Sequence, residues 1–253
     1  MSCSKAVVVG ASSGMGLEVA KLLLQKGWKV GVAARRTEPL EELKSQYPTQ
    51  VVTSAIDVTS PTAGNLLIEL VKQLGGMDLY FHAAGVGWQN PLLEDHVEMA
   101  TVETNGMGFA RMVGVSFRYF EENGGGHIAV ISSIAGTKGL GSAPAYSATK
   151  AFQNTYVEAL EQLSEARRLG IRFTDIRPGF VDTPMLAGGS YPMLMSQQSV
   201  ARKIVRAIEH HRPVQIIDWR FRLLVFFWRC VPRSLWKHMR FVVKFSLQPP
   251  SHA

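Results

Sequence analysis

Tyr146 and Lys150 stand four residues apart in Tyr146-Ser-Ala-Thr-Lys150, a spacing that on a helix puts both side chains on one face. A free tyrosine, with a pKa near ~10, is a poor proton carrier at neutral pH. An adjacent ammonium favours the phenolate and brings the group toward the range useful for general acid/base work. Such a pair is common on helix surfaces, so chemistry needs a second signal. Gly10-Ala-Ser-Ser-Gly14-Met-Gly16 supplies one, because it follows an apolar run and opens an amphipathic stretch. Gly10, Gly14 and Gly16 allow a tight turn and a close backbone approach to a pyrophosphate, with Ser12, Ser13 and Met15 completing the loop. The helix N-terminus beyond them offers amide donors and the positive end of a dipole. The ligand such a loop would hold is a dinucleotide.

The residues that end the second apolar run bear on which dinucleotide. In dinucleotide folds an acid at that point binds the adenosine ribose 2′-hydroxyl, whereas arginine accommodates a 2′-phosphate. Here the run ends Ala33-Ala34-Arg35-Arg36, with no acid until Glu38. Two guanidiniums, Arg35 and Arg36, suit a doubly charged phosphate, and NADP(H) is favoured over NAD(H).

These groups must be held by a scaffold, and the sequence predicts one. Ala6–Val9, Lys29–Ala34, Val51–Ile56, Leu79–His82, Ile128–Ser132, Ile171–Ile176 and Val214–Ile217 read as strands. Between them lie amphipathic helices: Gly14–Gln25, Pro39–Gln46, Ala63–Leu74, an interval from about Leu93 to Glu122, Tyr146–Arg167 and Ser199–His210. Nearly continuous apolar strands alternating with helices predict a seven-stranded parallel sheet, covered on both faces and doubly wound: a Rossmann-like α/β fold. Residues 1–219 are expected to form one catalytic and cofactor-binding domain, and 220–253 a C-terminal helical extension.

Taken together, the motifs resemble the short-chain dehydrogenases/reductases. The Gly10–Gly16 turn, His82-Ala-Ala-Gly85, Asn105, Ile131-Ser-Ser133, Tyr146-Ser-Ala-Thr-Lys150 and Pro178-Gly179 occur in that family's order and rough spacing over about residues 5–215. The resemblance implies a carbonyl–alcohol oxidoreductase in which Tyr146 is the acid/base. Lys150 would then lower the pKa of Tyr146 and bond the nicotinamide ribose, and Ser133, rather than Ser132, would bond the substrate oxygen. Asn105 would hold a water linking Lys150 to solvent. It further implies cofactor contacts from Asp57 and Val58 near the adenine, from Ala84 and Gly85, from Pro178, Gly179 and Val181, and from Thr183 at the carboxamide. There are two departures from the family pattern: Val9 stands where Thr is usual, and His82-Ala83 replaces a usual Asn-Asn. His82 is expected to be a packed core residue. A non-catalytic NADP(H)-binding protein is the alternative, disfavoured because all of Asn105, Ser133, Tyr146 and Lys150 are present.

Composition narrows the setting. At 253 residues, 46% hydrophobic and 19% charged, the chain can bury a core without metal or disulfide staples. Its two cysteines, Cys3 and Cys230, lack metal-ligand spacing and are expected to be free thiols, with no metal site. No signal-peptide core and no ~18-residue apolar span is found, so a cytoplasmic protein is expected.

The net charge of +7 lies wholly after residue 219, in Arg220, Arg222, Arg229, Arg233, Lys237, Arg240 and Lys244, with no Asp or Glu among them. From Arg229 the cations recur every three or four residues, opposite Leu235, Met239, Val242 and Val243, with Pro232 separating two short helices. A helix lying on the inner face of a membrane looks like this, through residues 220–245, and so does a helix packed on its own domain or on a second subunit. Nucleic acid is the least favoured partner. Met185, Leu186, Tyr191, Met193, Leu194 and Met195, with Trp88, suggest an apolar flap over a lipophilic ketone or alcohol. The family resemblance implies a homodimer or homotetramer built on the helices around 101–122 and 146–167.

Overall fold

The computed structural model describes residues 4–183, 186 and 191–239. Seven parallel strands form one sheet: β1 (Lys5–Val9), β2 (Lys29–Ala34), β3 (Val51–Ala55), β4 (Leu79–His82), β5 (Gly126–Ile131), β6 (Ile171–Pro178) and β7 (Val214–Ile217). Their order across the sheet is β3-β2-β1-β4-β5-β6-β7. The direction of winding reverses between β1 and β4, and a crevice opens beyond the carboxyl ends of those two strands. Pairing of Val9 with both Ala33 and His82 brings Gly10, Arg35 and Ala83 to one rim.

Side chains alternate across the sheet and fill two cores. Ala6, Val8, Val32 and Phe81 face one layer of helices, and Val7, Val9, Ala33 and Tyr80 the other. Burial on both faces is why the strands read as unbroken apolar runs. The first layer contains α1 (Gly14–Gln25) and α7 (Gln197–Glu209), which bury Val19, Leu23, Val200 and Ile204 against the sheet and each other. The second contains α3 (Ala63–Leu74), α5 (Phe109–Glu122) and α6 (Pro144–Arg167); α2 (Glu38–Gln46) joins β2 to β3.

The interval read as helical from about Leu93 to Glu122 is three pieces. α4 (Asp95–Val102) passes into a π-helical turn, Glu103–Gly108, before α5 begins. Such turns widen a helix by one residue and re-aim its carbonyls. Gly108 permits the bend, since a Cβ there would lie 2.9 Å from a Val58 methyl.

The C-terminal extension starts inside the core. α8 (Trp219–Cys230) is capped by the Asp218 carboxylate, which accepts from the Arg220 amide at 3.0 Å. Phe221 and Val225 are buried, and the Phe221 ring fills the space beside Gly179, where a Cβ would come within 2.4 Å of it. The chain breaks at Val231-Pro232, as the proline predicts, and α9 (Arg233–Trp236) follows. The cationic stripe is therefore not one helical face: Arg229 belongs to α8, Arg233 to α9, and Arg240, Val242, Val243 and Lys244 lie outside the described residues. Among the described residues no helix is long and apolar enough to cross a membrane. Cys230 is an exposed free thiol, and Cys3 is outside the described residues.

Candidate active site

The glycine loop closes on β1 and β4. Gly10 has φ +89°, and a Cβ there would lie 2.4 Å from the Ala84 nitrogen. At Gly16 a Cβ would lie 2.1 Å from the Gly10 carbonyl oxygen. Both positions need glycine for want of space. Ser13 precedes α1 without capping it through its side chain, which leaves first-turn amides directed at the crevice. Thr183 sits across the crevice, its methyl 3.6 Å from where a Gly14 Cβ would be. Arg36 reaches back to the loop, its Nη2 donating to Ser13 Oγ at 3.2 Å and Ser12 Oγ at 3.4 Å, while Arg35 is exposed beside it. The loop, the rim arginines and the Ala84–Gly85 backbone fit a dinucleotide whose phosphates meet α1.

The remaining expected cofactor residues are spread along the same edge. Asp57 Oδ1 accepts from the Thr59 amide at 3.0 Å and its hydroxyl at 2.8 Å, and the Val58 carbonyl accepts from Arg111 at 2.8 Å. Pro178 ends β6, Gly179 lies under Phe221, and Val181 bridges to Met195. That bridge alters the flap as expected from sequence. Met195 is buried and Tyr191 packs against Phe180 at 4.9 Å, so these two side chains belong to the fold. Leu194 is exposed, and Met185 lies outside the described residues.

Tyr146 and Lys150 share a face of α6, with Nζ 5.7 Å from the centre of the tyrosine ring. Ser133 ends the strand-to-turn link after β5 and lies close enough to the Tyr146 hydroxyl to favour its phenolate, and its Oγ accepts from the Ala135 amide at 3.1 Å. Ser132 points the other way and donates to the buried Asp175 carboxylate. Asn105 lies in the π-turn, its Oδ1 accepting from the Val86 amide at 2.9 Å and its Nδ2 donating to the Val86 carbonyl at 2.7 Å. These bonds lock the loop after β4 to the helix layer. The structure thus brings Asn105, Ser133, Tyr146 and Lys150 to one pocket wall beside Gly85.

The electrostatics differ in one respect from the sequence expectation. Burial raises the Tyr146 pKa and the neighbouring Ser133 hydroxyl only partly opposes it, so without ligand the hydroxyl keeps its proton. Lys150 bears the opposite strain: burial pulls it from 10.5 to about 8, and Asp175 resists the fall. Asp175 is itself held by Arg177 at 2.7 Å. Two residues in this set carry no sequence motif, Asp175 and Gln153. Gln153 had a signal, since three residues after Lys150 places it on the same helical face.

His82 is a packed core residue, its Nδ1 2.7 Å from the Tyr80 hydroxyl and its ring edge-on to Phe109. Burial, reinforced by Lys150, lowers its pKa from 6.5 to about 3. The folded state therefore binds a proton there more weakly than the unfolded chain does. The resulting stability is full above pH 6.5 and lost as pH falls toward 3, about 2 kcal/mol having gone by pH 5. In urea unfolding at pH 7 and pH 5, His82→Asn should lose less stability on acidification than wild type by about that amount. Equal losses would show that His82 takes up its proton in the folded state.

Comparison with known proteins agrees with this geometry. The short chain dehydrogenase family model matches residues 4–190. An uncharacterized oxidoreductase of Mycobacterium tuberculosis is 31% identical over 225 residues, covering 85% of this chain and 88% of that one. One of Myxococcus xanthus is 34% identical over 199 residues, covering 76% and 78%. The crystal structure of a short-chain dehydrogenase from Streptomyces avermitilis superposes with a TM-score of 0.79 at 22% identity, covering 93% of this chain and 96% of that one.

Proposed function

We propose, for a chain that belongs to the short-chain dehydrogenase family and is thus an oxidoreductase using a nicotinamide cofactor, that it interconverts a ketone and an alcohol with NADP(H). The observation that carries this reading is the convergence of Ser133, Tyr146 and Lys150 on one wall of the crevice. The bound nicotinamide would supply or accept the hydride. Ser133 orients the substrate oxygen, Tyr146 gives it a proton during reduction, and Lys150 holds a positive charge behind the phenol as that proton leaves. NADP(H) is supported by Arg35 and Arg36 at the end of β2, and reduction is the expected direction because NADPH serves as a donor. A non-catalytic cofactor-binding protein has no use for this set.

The catalytic unit is assigned to 1–219 and the extension to the residues beyond. Trp219, Phe226 and Phe227 on α8 are 66%, 62% and 62% exposed, and Arg220, Arg222 and Arg229 stand on the same helix. An exposed aromatic face among cations supports docking on an anionic membrane surface, at the cytoplasmic side. Exposed Met107, Phe152 and Leu163 support a homodimer or homotetramer through the α5 and α6 layer.

The reading is tested by following NADPH oxidation against straight-chain 3-keto substrates of increasing length, below their micelle-forming concentrations. Burying each methylene contributes about 0.8 kcal/mol, so kcat/KM should rise roughly fourfold per carbon while the chain is enclosed. A rise that persists past ten or so carbons fits a lipid ketone. A flat profile with real turnover would overturn the lipophilic assignment and point to compact ketones.

A further inference from the structure

Behind the Tyr146–Lys150 pair, Gln153 bridges a donor on its own helix and an acceptor in the π-helical turn. Its Oε1 accepts from Lys150 Nζ at 2.9 Å, and its Nε2 donates to the Asn105 main-chain carbonyl at 2.9 Å. The amide is oriented by chemistry, since an ammonium only donates and a carbonyl only accepts. Gln153 and Asn105 are fully buried and Lys150 nearly so. A second bond from Nζ goes to the Ile131 carbonyl at 3.1 Å, which leaves one ammonium proton for the crevice. The π-turn makes this possible by delivering the Asn105 carbonyl to α6.

We propose that Gln153 is a positioning residue, its carboxamide standing between Lys150 and the Asn105 carbonyl where the family resemblance places a water. A water at this point can turn over and hand protons on, whereas a carboxamide held at both ends keeps its protons. Gln153 thus fixes the ammonium as an oriented charge, and the proton that Tyr146 gives away is regained from the crevice. The inference rests on the reductase reading for its consequence in turnover, but its structural content does not.

The charged and titratable groups facing Lys150 are Tyr146 on its own helix, Asp175 on β6 and His82 on β4. None of these changes when Gln153 is replaced, so the titration of Lys150 reports the acceptor that Gln153 provides. In full-length protein carrying 13C-lysine, the Lys150 Cε resonance, assigned by its loss in Lys150→Arg, follows that titration without substrate or cofactor. Gln153→Leu fills the space with no acceptor, and its midpoint should fall by about one unit or more. Gln153→Glu sets a carboxylate against the ammonium and should raise the midpoint by a similar amount. Gln153→Ala, with room for a water bonded to the same two groups, should recover most of the Leu shift.

Coincident midpoints in wild type, Leu and Glu proteins would overturn the proposal. If Gln153→Leu does not fold, wild type against Glu decides it alone. Ordered midpoints in a protein that turns over no carbonyl would sink the reductase reading and leave the role of Gln153 standing. Turnover with coincident midpoints would do the reverse.

Discussion

Replacing Tyr146 by Phe should lower kcat for carbonyl reduction at least ~10³-fold while leaving the Kd for NADPH within about twofold. General acid catalysis by a positioned group contributes some 10²–10⁴-fold, and here no other hydroxyl can substitute. Ser132 is committed to Asp175, and Ser133 carries an alcohol hydroxyl, far less acidic than a phenol. The phenylalanine ring fills the same space, so the glycine loop and Arg36 are untouched and cofactor binding should persist. Stopped-flow reduction and fluorescence titration with NADPH separate the two quantities. A variant retaining more than a tenth of wild-type turnover would remove Tyr146 from the chemistry. A wild type with nothing to lose would favour the binding-only protein.

Arg36→Ala should weaken NADPH selectively. The guanidinium stands 3.2 Å from Ser13 Oγ at the mouth of the glycine loop, where an adenosine 2′-phosphate would lie. Hydrogen bonds to a charged group contribute about 1.5–3 kcal/mol, so kcat/KM for NADPH should fall roughly 10- to 100-fold. NADH lacks the 2′-phosphate and should lose little. The ratio of the two specificity constants is the measurement. A common loss for both cofactors would mean that Arg36 supports the loop through Ser12 and Ser13 and reads no phosphate.

The scaffold was legible because parallel strands buried on two faces leave runs such as Val7–Val9 and Ile128–Ile131 that fit few other structures. The cofactor loop and the Tyr146–Lys150 pair were legible because their chemistry depends on local spacing. What escaped depends on distance through space. Arg177 extends β6 past the apolar run because its charge meets Asp175, two residues away on the same face. On α8, Phe221, Leu223, Val225, Phe226 and Phe227 are almost uniformly apolar, so no periodicity could tell the inner face from the outer. The slot beside Gly179 decides it by admitting Phe221. The cations from Arg229 to Lys237 do not share one helix, because spacing counted across Pro232 ignores the break that the proline imposes. Glu103–Gly108 carries no pattern that separates a π-helical turn from an α-helical one, and so the bend at Asn105 went unseen.

That turn has a further meaning for how the protein can change over generations. Between α4 and α5 the chain spends one residue more than a continuous helix requires. Deleting any one residue of Glu103–Gly108 would restore regular pitch and make a better helix by local measures. It would also rotate everything upstream by about 100°, carrying α4 and the Asn105 carbonyl away from Gln153. Exposed Glu103 and Met107 can drift as long as the count of residues is kept, whereas Asn105 and Gly108 are held by their contacts with Val86 and Val58. Here the gene's reading length, as well as its spelling at two positions, is what selection has to guard.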